Sequence, residues 1–314
     1  MASSKPVVIA ALVANAAIAV LKFGGYLLTG SPAMLSETYH SVSDTGNQVF
    51  LLIGIRYGER SPTRSHPFGY GKAQFFYSFL VSVLLFGIAG WESAKEGYNA
   101  LVHHQAHLDA GVVTVAGVTF PSIYVNYAIL LGAIAFEGYA LRKASKAMSH
   151  EMERHGWRGY VETFRKTSQV TTLTAMTEDT IAVSGLVLAL VGISLTQVTG
   201  NPIFDAGAAL LIGVLLMGFA VALAWENKRL LLGESLPRDE EAALRSEIEH
   251  WEGVTGITDF RTVYFGPARL LVTADIAFDS TLDTEEIDER ITEMERTLVE
   301  ANADVKKVYI EPEV

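Results

Sequence analysis

Six long apolar stretches constrain the fold of this chain more than any other feature of its sequence. A helix that crosses a membrane needs about 20 mainly apolar residues, because the hydrocarbon core is roughly 30 Å thick. The 314 residues are 50% hydrophobic with a mean hydropathy of +0.27, which is more apolar than an ordinary soluble protein. We therefore predict an all-α, six-helix transmembrane domain over residues 1–232. Its spans one to six are expected at 7–29, 33–55, 75–91, 110–136, 180–204 and 206–225.

Basic residues lie mainly in two of the predicted loops. Four lie between spans two and three and seven between spans four and five, whereas the other three loops hold only Lys95. The positive-inside rule then predicts an integral protein of the cell membrane with both ends of the chain in the cytoplasm. The first apolar stretch is expected to be a retained helix rather than a cleaved signal peptide. Segment 150–166 mixes charged with aromatic residues, which predicts a helix on the cytoplasmic membrane surface.

The remaining region, residues 233–314, has the pattern of a small soluble domain. Residues 234–314 carry 21 acidic and eight basic residues, although the whole chain has a net charge of only −11. We predict a cytoplasmic α+β domain of order αββαβ, ferredoxin- or metallochaperone-like, with helices on one face of a three-stranded sheet. The expected elements are a helix at 238–251, strands at 257–265 and 268–278, a helix at 284–301 capped by Thr284, and a strand at 305–310. A domain of about 80 residues gains from dimerisation, because it buries little apolar surface alone.

The composition and the missing motifs narrow the classes of function that this chain can have. The chain has no cysteine, so disulfides, thiolate metal sites and cysteine nucleophiles are excluded. Its net negative charge argues against a basic surface for nucleic acid. No His-Glu-x-x-His motif and no serine, histidine and aspartate on facing spans are present, so we do not expect an enzyme or an organic cofactor.

Span two carries the polar residues that point most directly to a function. Glu37, His40, Asp44 and Asn47 are spaced by three and four residues, so they share one face of a helix. Ionisable groups inside a membrane are costly, and they tend to pair or to bind ions. An imidazole and a carboxylate at i and i+4 can share a metal ion such as zinc. The alternative is a polar packing seam, with a histidine–aspartate hydrogen bond that only rigidifies the helices.

Two adjacent carboxylates at the start of span five are the second part of the predicted site. Glu178 and Asp179 repel each other inside a membrane unless a cation or a proton separates them. Alternatively, both lie at the water interface, because the charge-free run begins after them. With His40 and Asp44, Asp179 completes three metal ligands from two helices.

Other ionisable residues leave structural and functional interpretations open. Glu137, at the inner end of span four, fits either an interfacial salt bridge or a role in ion access. Lys22 in span one is expected to reach the membrane surface or to pair with a carboxylate. His103, His104 and His107 with Asp109 fit a solvated loop better than an outer metal trap.

Several motifs resemble the cation diffusion facilitator family. Six spans and the acidic αββαβ tail agree with that family from end to end, as do Gly30-Ser31, the run from His40 to Asp44 and the run from His66 to Lys72. The resemblance implies a homodimeric exporter of divalent metal ions that exchanges them for protons, with contacts through the tail and the membrane helices. Its transport site takes two residues from span two and two from span five, each pair at i and i+4.

The implied ligand set is only partly present in this chain. His40 and Asp44 match the first pair and Asp179 matches one member of the second, but Ala175 stands at the remaining position. The missing fourth ligand could come from Glu178, Asn47, a backbone carbonyl or water. The Glu-Asp pair, together with the run from Phe136 to Tyr139, is similar to the branch that contains animal zinc transporter 9.

The family's accessory metal sites look eroded. Of the loop site between spans two and three only His66 remains, because Thr63 and Tyr70 occupy the other places. Thr258 and Ala274 stand where family members carry histidines in the tail, so the resemblance implies a dimerisation module with little metal sensing.

The sequence thus predicts a proton-coupled exporter of a divalent metal ion, Zn²⁺ first, that works by alternating access. An oxygen-rich site with Glu178 and Asn47 would instead favour Mn²⁺, Fe²⁺ or Co²⁺. A membrane scaffold that binds metal without transporting it is the other alternative. The transported ion, the lipid bilayer and the counter-moving protons are the expected partners.

Overall fold

The fold is described from a computed structural model of the chain. It describes residues 5–103, 111–115 and 118–313, and among these the side chains of 5–11, 14, 113, 115 and 118 are left out of the description. His104, His107 and Asp109 of the predicted outer loop therefore lie outside the described residues. His103 is described and is exposed at the end of a helix.

Ten helices and five strands follow one another along the described residues. In chain order they are α1 (Lys5–Thr29), α2 (Pro32–Gly58), α3 (Lys72–Leu84), a π-helical segment (Leu85–Gly90), α4 (Trp91–His103), β1 (Val112–Val115), β2 (Val118–Pro121), α5 (Ile123–His155), α6 (Tyr160–Lys166), α7 (Val170–Thr199), α8 (Ile203–Leu232), α9 (Arg238–Glu249), β3 (Val254–Gly266), β4 (Arg269–Phe278), α10 (Thr284–Ala301) and β5 (Val305–Glu313).

Two compact units divide the chain. The first, the helical unit, contains Met1–Ile53, Tyr77–Tyr160 and Thr171–Trp225. The second, the tail unit, contains Gly54–Phe76, Val161–Val170 and Glu226–Val314. The sequence-based domain boundary between residues 232 and 233 stays a prediction.

Four helical stretches among the described residues are long and apolar enough to cross a membrane. They are Lys72–His103, Ile123–His155, Val170–Thr199 and Ile203–Leu232, and α1 adds a shorter apolar stretch at Asn15–Thr29. Helix α2 has the length, with 27 residues, but it carries the ionisable residues noted above. The chain thus has the helical composition of an integral membrane protein, and the count of six spans stays a prediction.

Several predicted boundaries differ from the structure; span five was expected at 180–204, but α7 runs from Val170 to Thr199. Span four was expected from residue 110, but α5 begins only at Ile123, after a hairpin in which Val112 pairs with Pro121. Valine and threonine, which favour strands, dominate that stretch. The surface helix expected at 150–166 is divided, because α5 continues to His155 and ends at Gly156, whose φ of 68° is left-handed.

Helices of the helical unit approach closely where glycine replaces a side chain. A Cβ atom added to Gly213 of α8 would collide with the backbone of Ala94 in α4. A Cβ atom added to Gly97 of α4 would collide with the backbone of Leu210 in α8. Small residues let helix backbones approach in this way inside membranes.

The tail unit contains the predicted αββαβ order. Strands β3 and β4 are antiparallel, and β4 pairs with β5 in parallel, so the sheet order is β3-β4-β5. Alternate residues of β4 are buried and face Leu244 and Ile248 of α9 and Met294 and Leu298 of α10. The prediction that Thr284 caps α10 is wrong, because Asp283 is the capping residue. The Asp283 carboxylate accepts hydrogen bonds from the backbone N–H groups of Glu285 and Glu286, and Glu286 completes a capping box. A ferredoxin- or metallochaperone-like fold stays a prediction.

Candidate metal site

His40 and Asp44 lie on the buried face of α2. His40 is fully buried and Asp44 is 6% exposed, and His40 Nδ1 lies 3.5 Å from Asp44 Oδ1. That separation is too long for a good hydrogen bond, and both ring nitrogens of His40 are without a hydrogen-bond partner in the described structure. Buried polar groups normally form hydrogen bonds, so a buried imidazole whose two nitrogens form none is suited to act as a metal ligand.

A hydrogen bond joins this face of α2 to α7. The side-chain nitrogen Nδ2 of Asn47 donates to Glu178 Oε1 at 2.7 Å. Both side chains are buried, and Asn47 Oδ1 has no partner within the described residues. Glu178 lies eight residues after Val170, the first residue of α7, so it is not at the end of that helix.

Asp179 faces a different environment from Glu178. Its carboxylate lines a cavity of about 370 Å³ between α1, α2, α5 and α7, whereas Glu178 is not part of that lining. Ala175, which stands where the family resemblance implies a fourth ligand, also lines the cavity. The polar and charged side chains around the cavity are Asn15, Gln48, Glu137, Lys143, Thr171, Thr172 and Asp179.

Four carboxylates interact electrostatically in this part of the helical unit. Asp44 is affected by Glu178, Glu137 and Asp179, and Asp179 is affected by Glu137. If all four were ionised, the group would carry four negative charges within a poorly solvated interior. Like charges at such a site are tolerated only with protons or cations between them. Protons or cations are therefore needed to balance the charge of this group.

The nearby lysine does not neutralise these four carboxylates, because it is already paired. Lys22 Nζ of α1 lies 2.8 Å from Glu37 Oε2 and donates to Ser41 Oγ at 2.8 Å, and Lys22 and Glu37 are at most 1% exposed. The interpretation that Lys22 pairs with a carboxylate is confirmed. Gly185 of α7 leaves room for Glu37, since a Cβ there would collide with Glu37 Oε1. Lys22 was noticed from the sequence, but nothing in the sequence identified Ser41 or Gly185 as its surroundings.

The complete ligand set stays a prediction. Among the described residues no three histidine, aspartate or glutamate side chains are gathered closely enough to hold one ion. The structure brings His40 to Asp44 and Asn47 to Glu178, and it places Asp179 in the cavity beside Glu137. Gln48 is a cavity residue that the sequence reasoning missed, although its position next to Asn47 was a signal.

The loop where the resemblance implied an eroded accessory site is held by aromatic contacts. The His66 ring stacks on Tyr70 with centroids 4.3 Å apart, and the Thr63 hydroxyl lies 3.2 Å from the Tyr70 hydroxyl. These three positions thus contact one another directly.

Sequence comparison defines the class to which this arrangement belongs. The family model for the cation efflux transmembrane domain matches residues 8–232. Because this match covers most of the chain, the protein belongs to the cation efflux family, the cation diffusion facilitators that its motifs resemble. It is thus an integral membrane protein of a transporter family.

Curated relatives place the chain near one branch of that family. The proton-coupled zinc antiporter SLC30A9, mitochondrial, of Homo sapiens is 28% identical over 295 residues, which cover 92% of this chain and 50% of the relative. Metal tolerance protein C4 of Arabidopsis thaliana is 27% identical over 281 residues, 89% of this chain and 58% of the relative. The cation-efflux pump FieF of Serratia proteamaculans is 26% identical over 266 residues, 83% of this chain and 78% of the relative. The chain spans about half the length of its SLC30A9 relatives, and the predicted nearness to the zinc transporter 9 branch is confirmed.

Proposed function

We propose that this protein exports a divalent metal cation, Zn²⁺ first, in exchange for protons. The observation that carries the proposal is the buried His40 beside the carboxylate of Asp44, because its two ring nitrogens have no hydrogen-bond partner among the described residues. Family membership supports metal efflux, and the name of the SLC30A9 relatives, proton-coupled zinc antiporter, supports zinc and proton coupling. Neutral imidazole nitrogen with carboxylate oxygen is a donor set that zinc prefers.

His40, Asp44 and Asp179 are the proposed ligands, with Glu178 and Asn47 as the candidates for the fourth position. In the structure Asn47 holds Glu178 by a hydrogen bond, while Asp179 is turned toward the cavity. Binding of an ion would therefore require α2 and α7 to bring these groups together. A bundle with two packings, each open to one side, provides that change and is the basis of alternating access.

Proton coupling follows from competition for the same lone pairs. The metal ion binds deprotonated carboxylates and neutral imidazole, so protonation of the same groups weakens the site. A higher proton concentration on the outer side would release the ion there. The transported ion and the proton thus occupy one set of groups in turn, and neither needs a second pathway.

A second class of transported ion, Mn²⁺, Fe²⁺ or Co²⁺, also fits the proposed ligands. Asp44, Asn47, Glu178 and Asp179 are oxygen donors, and His40 is the single nitrogen donor among the proposed ligands. Oxygen-rich sites favour Mn²⁺, Fe²⁺ or Co²⁺ more than histidine-rich sites do. A scaffold that binds metal without moving it is separated from both exporters by measurement of flux.

The proposed topology has six spans, formed by α1, α2, the Lys72–His103 helix, α5, α7 and α8. Both ends of the chain would then lie in the cytoplasm, as the distribution of basic residues predicts. The acidic tail is proposed to join two copies of the chain into a homodimer.

Metal flux into proteoliposomes tests the proposal. We expect Zn²⁺ to accumulate inside vesicles that hold a low internal pH, and we expect His40→Ala and Asp44→Asn to abolish that flux. His150→Ala on α5 is the matched control, because His150 is an exposed histidine. Normal flux in the His40→Ala protein would refute the site. Parallel flux of Mn²⁺ and Co²⁺, with and without Glu178→Gln, decides between the two candidate ion classes.

A further inference from the structure

The carboxylate of Glu137 has the surroundings of a ligand rather than of a structural ion pair. Glu137 is only 6% exposed, and its side chain lines the cavity between α1, α2, α5 and α7. Within the described part of the chain it forms no hydrogen bond and no ion pair with Arg142 or Lys143. An interfacial salt bridge, one of the two interpretations of its sequence position, is therefore not formed among the described residues.

The only buried lysine near this carboxylate in the described structure is already satisfied. Lys22 interacts with Glu137 electrostatically, but its ammonium group donates to Glu37 and Ser41. The ammonium group of Lys143, which also borders the cavity, lies 5.7 Å from the centre of the Tyr139 ring. A buried carboxylate without a cationic partner is costly, and a bound cation removes that cost.

The cavity offers oxygen donors and enough room for a hydrated ion. Asp179, Thr171 and Thr172 line it together with Gln48, whose Oε1 atom is buried and has no partner in the described structure. The volume is about 370 Å³. A divalent ion with six waters needs about 180 Å³ at roughly 30 Å³ per water. A cation can therefore reach Glu137 and Asp179 before it loses its water shell.

We propose that Glu137 and Asp179 form an access site, which takes a hydrated divalent cation from the cytoplasmic side and passes it to His40 and Asp44. This inference rests on the proposed export function and adds a binding step to it. Asp179 belongs to both sites and links them, because it lies in the cavity and interacts electrostatically with Asp44. The two ligands of the access site are carboxylates, so this site selects cations by their charge. The imidazole of His40 then selects metal ions that bind nitrogen ligands.

Transport kinetics test the access site on the full-length protein. Glu137→Gln is nearly isosteric and removes one charge, so we expect KM for Zn²⁺ to rise about tenfold, equivalent to about 1.4 kcal/mol. We expect the maximal rate to stay within a factor of two or so, because the transport ligands are intact. Glu137→Asp should recover part of the loss. Glu153→Gln, an exposed glutamate on the same helix α5, is the matched control and should leave KM unchanged.

Calorimetry with Zn²⁺ alone separates the access site from the transport site. In His40→Ala we expect one weaker binding event to remain, and we expect Glu137→Gln in that background to remove it. If His40→Ala/Glu137→Gln binds Zn²⁺ as His40→Ala does, or if Glu137→Gln leaves KM unchanged, the access site is refuted while the export function stands. Loss of maximal rate with unchanged KM in Glu137→Gln also refutes it. Absence of proton-driven Zn²⁺ flux in the native protein would instead overturn the proposed function itself.

Discussion

Replacing Lys22 by methionine should destabilise the helical unit strongly. Methionine has a similar length, but it leaves the Glu37 carboxylate buried without its cation and leaves Ser41 without its donor. Both members of the pair are at most 1% exposed, so water cannot take over the role of the ammonium group. The cost therefore arises from an unpaired buried charge rather than from lost side-chain volume.

The geometry sets the size of this effect. At the observed 2.8 Å, Coulomb's law with an effective dielectric constant of about 20 gives an attraction of about 6 kcal/mol. Desolvation offsets part of that attraction, and removing one partner of a buried pair typically costs about 3–5 kcal/mol. We expect Lys22→Met to lower the free energy of unfolding by that amount. Lys22→Met/Glu37→Gln should return to within about 1–2 kcal/mol of the native protein, because no charge is then left unpaired.

Equilibrium unfolding in mixed micelles measures these differences. Lys95→Met is the matched control, because the Lys95–Glu92 pair has side chains that are 54% and 37% exposed. A pair of that kind contributes about 0.2–1 kcal/mol. If Lys22→Met costs no more than Lys95→Met, or if the double variant is as unstable as the two single changes added together, the reasoning fails.

Two further predictions concern packing and pH. Gly213→Ala should lower the thermal midpoint of unfolding of the purified protein, because the added Cβ atom would collide with the backbone of α4. Gly218→Ala on the same helix has open space around it, so it should be neutral or slightly stabilising. Equal thermal midpoints for the two variants would contradict this prediction. The second prediction concerns pH. Lys166 donates a hydrogen bond to the carboxylate of Asp239 and holds the pKa of Asp239 below its ordinary value. The pair therefore stabilises the fold above about pH 4, and this stability is lost as the pH falls through the lowered pKa. Because Asp239 is largely exposed, Asp239→Asn should lower the free energy of unfolding by only about 0.5 kcal/mol at pH 7, and by progressively less below pH 4. Unfolding titrations measure this difference, and a loss of stability that grows as the pH falls would contradict the prediction.

Patterns that depend on neighbouring residues were predictable from the sequence. Apolar length indicated the long helices, and alternation with turn residues indicated the αββαβ order of the tail unit. The shared face of His40 and Asp44 follows from a spacing of four residues, because the geometry of a helix is local. The capping residue was misplaced by one position, from Asp283 to Thr284, since both residue types accept hydrogen bonds from a helix N-terminus.

Features that depend on which helices pack together were not predictable. The partner of Lys22 could have been any carboxylate at the same depth, and only the packing of α1 against α2 selects Glu37. The different surroundings of Glu178 and Asp179 have the same origin. Neighbouring residues differ by about 100° around a helix, but the sequence does not reveal which direction leads to a cavity.

The backbone contact between α4 and α8 has a mechanical consequence. Where Gly97 and Gly213 allow two main chains to touch, no side chains lie between them that could change rotamer to let the helices slide. Helices α4 and α8 are therefore expected to move together as one rigid body. The movement that alternating access would require is then expected between other helices, for example where Asn47 of α2 donates its hydrogen bond to Glu178 of α7.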